Sequence, residues 1–142
     1  GANARLPVAL RVSGAHGGLS DDRPEQRARD KALALLCADV LTLPGAVGLS
    51  LVDALSLGVP LLCCEQRGHG PELAYLQPGR NGWMTAPTAM AYAQALGGLL
   101  TDPARLAAAQ AAALDSARDL SLEAMVQRFA GGIEEALVCP RV

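Results

Sequence analysis

The chain has 142 residues, of which 51% are hydrophobic and 18% charged, with 12 basic against 14 acidic side chains. That balance excludes an intrinsically disordered chain. Without a Lys/Arg cluster there is no electrostatic footprint for nucleic acid, and no apolar run approaches the ~18 residues of a membrane span. The longest apolar stretch, Leu96 to Leu120, is interrupted by Asp102, Pro103, Arg105 and Gln110. The length suits one domain, so residues 1–142 are read as one unit. Aromatic residues are only 3%. The core must therefore be Leu, Val and Ala, which suits helices packed on a parallel sheet.

In chain order, Leu6–Val12 reads as a buried strand that ends in a turn at Ser13-Gly14. A helix is expected from Pro24 to Cys37, with Asp21 and Asp22 ahead of it and Pro24 in its first turn. Asp39–Leu43 is a second strand, stopped by Pro44-Gly45. Gly48–Leu57 follows as a helix, because Leu49, Val52 and Leu55 recur at helical spacing and Gly58 terminates it. Pro60–Cys64 is a third strand and Trp83–Thr85 a fourth, the latter preceded by an Asn81-Gly82 turn. Three helices close the chain: Ala89–Leu100, a second from Asp102-Pro103 through Ala117, and a third capped by Ser121. The alternation of strand and helix implies a Rossmann-like α/β fold with a parallel sheet, flanking helices and a helical C-terminus.

The cysteines are Cys37, Cys63, Cys64 and Cys139, with no C-x-x-C pair, and the only histidines are His16 and His69. A metal site needs clustered ligands at defined spacing, so no metal or cofactor is expected. Cys63 and Cys64 leave opposite faces of a strand and read as buried small apolar residues. No secretory leader is visible, so reduced thiols and a cytoplasmic location are expected.

In open parallel sheets, ligands bind beyond the carboxyl ends of the strands. Three loops belong there: Gly14–Gly18, Pro44–Gly48 and Glu65–Glu72. The middle one runs as Pro-Gly-Ala-Val-Gly-Leu-Ser directly into a helix. A strand, a glycine turn and a helix together bring unpaired N–H groups and a positive helix end to one point, which suits a phosphate. Gly45, Ala46, Val47, Gly48, Leu49 and Ser50 are the candidate phosphate and sugar contacts. Asp53, one turn later, is the candidate acceptor for a ribose diol. The loop is neither a Walker loop nor G-x-G-x-x-G. The bland alternative is an ordinary βα turn with a solvated Asp53.

The run from Ala38 to Pro60, ADVLTLPGAVGLSLVDALSLGVP, resembles the nucleotide-sugar loop of family 4 glycosyltransferases of the GT-B fold. Gly48-Leu49 stand at the family's G-L, Asp53-Ala54-Leu55 at its E-A-M, and Gly58-Val59-Pro60 at its G-x-P. His69-Gly70-Pro71-Glu72, Asn81-Gly82-Trp83-Met84 and Leu99–Pro103 are similar, in order, to its G-G-x-x-E, N-G-x-x-v and l-l-x-D-p segments. The resemblance covers roughly residues 38 to 137. It implies the donor half of a retaining glycosyltransferase. Gly45 to Leu49 would hold the diphosphate and sugar and Asp53 the ribose, and Glu72 stands at a family position, although it could equally cap a helix after Pro71. Separately from the resemblance, His69 or Arg67 would reach the donor diphosphate if the three strand-end loops converge.

The pattern also departs from that family. The first Glu of the family's Glu-x7-Glu pair falls on Gly45, Asp53 is one methylene shorter than Glu, and no G-R-x-x-x-K-G clamp is present, with Arg11 a poor substitute. Residues 1–142 are expected to hold no acceptor domain, so a partner half or partner chain is implied and the isolated chain is expected to be inactive alone. Two further functions stay open: a nucleotide-sugar epimerase half, and a degenerate, non-catalytic interaction module whose uncovered face would support a homodimer. His16 reads as a loop residue, Trp83 as core or interface, and Glu134 and Glu135 as a solvated helix face.

Overall fold

A computed structural model describes residues 24–139. The expected strand at Leu6–Val12, the Gly14–Gly18 loop with His16, and Arg11 lie outside the described residues. Within them, the order is α1 (Pro24–Leu36), β1 (Leu41–Leu43), α2 (Ser50–Ser56), β2 (Leu61–Cys64), a 3-10 helix (Pro71–Tyr75), β3 (Gly82–Thr85), α3 (Ala89–Leu100), α4 (Pro103–Ser116), a second 3-10 turn (Ala117–Leu120) and α5 (Leu122–Val138). The three strands form a parallel sheet in the order β1-β2-β3, with Leu41 opposite Leu61 and Leu61 opposite Gly82. The expected α/β architecture with a helical C-terminus is therefore present.

β2 is buried along its whole length, as a central parallel strand covered on both faces must be. Its side chains alternate. Leu61 and Cys63 join Val47, Leu51, Leu55, Leu76 and Ala113 on one face. Leu62 joins Trp83, Leu99 and Ala109 on the other. Trp83 is thus a core residue, with the Arg105 guanidinium 5.3 Å from its ring centroid, close enough for a cation–π contact.

Local signals explain most element ends. Thr88, Asp102 and Ser121 each accept a backbone N–H of the next turn through their side chains, from Ala91, Arg105 and Ala124, satisfying one orphan donor per helix. Gly58 adopts φ +73° after α2, the left-handed conformation that ends a helix and that glycine takes without steric cost. α2 begins two residues later than its apolar spacing predicts, because Gly48 and Leu49 form the entering turn and the first bond runs from Leu51 N–H to the Gly48 carbonyl at 3.0 Å. The segment after Pro71 is a short 3-10 helix of five residues with Pro71 in its first turn.

The Asn81-Gly82 pair is more than a turn. Asn81 is fully buried. Its Nδ2 donates to the Tyr75 carbonyl and to Ser116 Oγ, both at 3.0 Å, and its Oδ1 accepts from Gln77 N–H at 2.7 Å. It ties the connection between β2 and β3 to the end of α4. Gly82 opens β3, where a Cβ would sit 2.5 Å from the Leu61 carbonyl oxygen.

Candidate functional site

The strands are parallel, so their carboxyl ends share one edge of the sheet. The loop 44–49 leaves β1 there and the loop 65–70 leaves β2 beside it. Two contacts bind the loops together. Gly70 N–H donates to the Val47 carbonyl at 2.7 Å, and Val47 N–H donates to His69 Nδ1 at 3.1 Å. The other ring nitrogen, Nε2, lies 3.0 Å from the Cys64 carbonyl oxygen at the end of β2. A carbonyl only accepts, so Nε2 carries the hydrogen and Nδ1 is the bare acceptor. A Cβ at Gly70 would meet Glu72 Oε2, the movable end of a side chain, and would lie 3.1 Å from the Val47 carbonyl oxygen, a tight contact.

This arrangement sorts the six loop candidates. Val47 is buried and both of its backbone polar groups are engaged. Gly45 and Ala46 are exposed, and Gly48 and Ser50 are partly exposed. Leu49 is 69% exposed. The first N–H bonded within α2 is that of Leu51, so the N–H groups of Gly48, Leu49 and Ser50 stand ahead of the ladder and have no backbone partner among the described residues. No side chain crowds Gly45 or Gly48, as nothing lies within 4 Å of a Cβ built on either.

Asp53 lies in the first turn of α2 and its Oδ2 forms an ion pair with Lys31 Nζ of α1. Both side chains are about half exposed, so water reaches the pair and its energetic weight is small. A carboxylate has more lone pairs than one ammonium uses, so Oδ1 retains capacity to accept. The Lys31 contact was invisible to sequence reasoning, since the partners are 22 residues apart.

Of the remaining candidates, Arg67 is exposed on the second loop and Glu72 is partly buried at the start of the 3-10 helix. His69 turns both nitrogens onto main chain and so shapes the loop. Leu49 and Glu72 also line a groove of about 640 Å³ that runs between α2, the 3-10 helix and the start of α5. The cations of that groove are offset by carboxylates: Arg80 pairs with Asp115 and Arg128 with Asp119, both at 3.1 Å. These arginines were not singled out from the sequence, because nothing in local spacing marks them.

Cys63 is buried, and burial, with the Cys64 thiol adding to it, pushes its pKa up to about 11. A thiol so shifted is a poor nucleophile at neutral pH. No cluster of three or more metal-ligating side chains occurs among the described residues, and no helix there is long and apolar enough to cross a membrane.

No protein-family model matches the chain, and no curated protein sequence matches it. Solved structures do. HepE of Anabaena in complex with UDP superposes with a TM-score of 0.59 at 18% identity, over 72% of this chain and 29% of that one. The same protein with UDP and glucose gives 0.60 at 17% identity, over 74% and 29%. Sucrose-phosphate synthase of Thermosynechococcus elongatus gives 0.60 at 21% identity, over 74% and 27%. The chain thus spans less than a third of the length of each of these proteins. At such identities the likeness is one of fold, and the fold is the Rossmann-like half of a GT-B arrangement.

Proposed function

We propose that this chain binds the nucleotide-diphosphate sugar donor of a glycosyltransferase, with the diphosphate at the loop 45–50. The observation that carries this reading is the set of N–H groups at Gly48, Leu49 and Ser50. They lie ahead of the first hydrogen bond of α2, at the carboxyl edge of a parallel sheet where ligands of such folds bind. Two structures of like fold were solved with UDP, which supports a nucleotide diphosphate as the ligand class. Asp53, with Lys31 holding one of its oxygens, offers the other to a ribose diol.

The chemistry available to this half is positioning and charge stabilisation of a departing diphosphate. Main-chain amides do this without a side-chain base, and the acceptor side falls to another domain or chain. Calorimetric titration with UDP-, GDP- and ADP-sugars tests the reading. Saturable binding of one nucleotide class supports it. A folded chain that binds no nucleotide diphosphate refutes it.

A second reading rests on α5. None of its residues is buried, and Leu122, Met125, Val126, Phe129, Ile133 and Leu137 are 47 to 80% exposed. An apolar stripe of this kind marks a contact surface and favours an interaction module. Light scattering separates the two: a dimer that binds no nucleotide supports the module, and a nucleotide-binding monomer supports the donor site.

A further inference from the structure

The 44–48 loop is glycine-rich and leaves a strand of only three residues, yet the position of Val47 is fixed from both sides. Its carbonyl takes the Gly70 N–H and its N–H is taken by His69. The imidazole reaches back to the Cys64 carbonyl, so one half-buried ring connects the end of β2 to the loop after β1. We infer that His69 is the positioning residue of the 45–50 loop, a staple that holds in the Nε2–H form and releases Val47 when the ring takes a second proton.

The reason is donor and acceptor inventory. Neutral imidazole has one donor and one acceptor, and both are matched here to an N–H and a carbonyl. The imidazolium has two donors and no acceptor. Its Nε2–H still suits the Cys64 carbonyl, but its Nδ1–H would point at the Val47 N–H, donor against donor. The bond must open, and the Gly70 bond then remains as the backbone tie to the second loop, with the Val47 side chain still packed in the core. Titratable neighbours are Glu65 and Arg67 on the same loop, Glu72 on the 3-10 helix and the Cys64 thiol at the strand end. The loop being held, Pro44 to Gly48, has none.

Two substitutions separate positioning from mere packing. In His69→Asn the amide oxygen lies near the place of Nδ1 and accepts without titrating. His69→Leu fills space and accepts nothing. The readout is the protection of the Val47 amide against hydrogen exchange, corrected for intrinsic rate, with ¹⁵N shifts reporting the ring's protonation. In the wild type, the neutral ring is expected as the Nε2–H tautomer, and Val47 protection should fall about fivefold to tenfold once the ¹⁵N shifts show the ring protonated, the equivalent of one hydrogen bond. His69→Asn should keep its protection over the whole pH span in which the wild-type ring gains its proton, and His69→Leu should lack it throughout. An Nδ1–H tautomer, or Val47 protection unchanged as the wild-type ring titrates, overturns the inference. Those two measurements need no variant, so a substitution that fails to fold does not shelter it.

The consequence for ligand binding rests on the donor-site reading. UDP affinity should weaken on acidification more in the wild type than in His69→Asn, a comparison needed because the diphosphate itself titrates near pH 6. If UDP does not bind at all, the donor-site reading fails while the exchange experiment still decides the role of His69.

Discussion

Replacing Asn81 with Ala removes three hydrogen bonds of 2.7, 3.0 and 3.0 Å from a site with no solvent access. It leaves the Gln77 N–H and the Tyr75 carbonyl unpaired. Ser116 is affected less, since its hydroxyl also donates to the Ala112 carbonyl at 2.9 Å. At about 1 kcal/mol for each bond, the loss is about 3 kcal/mol. With a urea dependence of about 1.5 kcal/mol per molar, the unfolding midpoint should drop by about 2 M. Asn81→Asp sharpens the test. The carboxylate keeps the Gln77 N–H but faces two acceptors, because the Ser116 hydrogen already points at Ala112. Burial and these acceptors disfavour its charged form, so the folded state holds a proton that the unfolded state releases. Its destabilisation must therefore be largest at neutral pH and shrink as pH falls, when the acid can donate to one of the two oxygens. Urea melts at neutral and mildly acidic pH, followed by circular dichroism, measure both. A loss in Asn81→Ala below about 1 kcal/mol would refute the claim that this side chain anchors the β2–β3 connection.

Three further outcomes follow from the same structure. Gly82→Ala places a Cβ against the Leu61 carbonyl in the sheet's own backbone, and should cost about 1–3 kcal/mol in a melt, as overpacking does. Alkaline stability should fall because buried acids stay protonated in the fold while the unfolded chain ionises. Cys63 acts between its ordinary 9.0 and about 11, and Tyr92, raised by burial and by the Cys64 thiol, between 10.0 and about 12. Melts across that range should show a decline that Cys63→Ala reduces. If Asp53 receives a ribose diol, the wild type should prefer UDP over its 2′-deoxy analogue by about tenfold and Asp53→Ala should lose that preference, whereas Lys31→Ala should change stability by under about 1 kcal/mol.

Much of the fold was legible locally. The helix boundaries at Thr88, Asp102 and Ser121 are set by side chains that cap their own next turn, and Gly58 ends α2 by its own backbone freedom. The all-apolar run Pro60–Cys64 marks a central parallel strand because both its faces are covered. What escaped the sequence was what distant segments do to one another. Asn81 looks like a turn residue until Ser116, 35 positions away, reaches its amide. The His69 ring has no assignable partner in the sequence until Val47, 22 positions away, claims its nitrogen. The loop 45–50 was placed correctly at a strand end by pattern, but the contact that engages Val47 and leaves Gly48, Leu49 and Ser50 open depends on tertiary structure.

The central claim is that these open amides receive a diphosphate. It is tested most directly by following backbone amide signals while the chain is titrated with UDP and, separately, with uridine. UDP should move Gly48, Leu49 and Ser50 in a saturable way, while uridine leaves them in place because it has no anion to offer. Shifts confined to α5 or to the Arg80–Arg128 groove, or the same shifts with uridine, would contradict it.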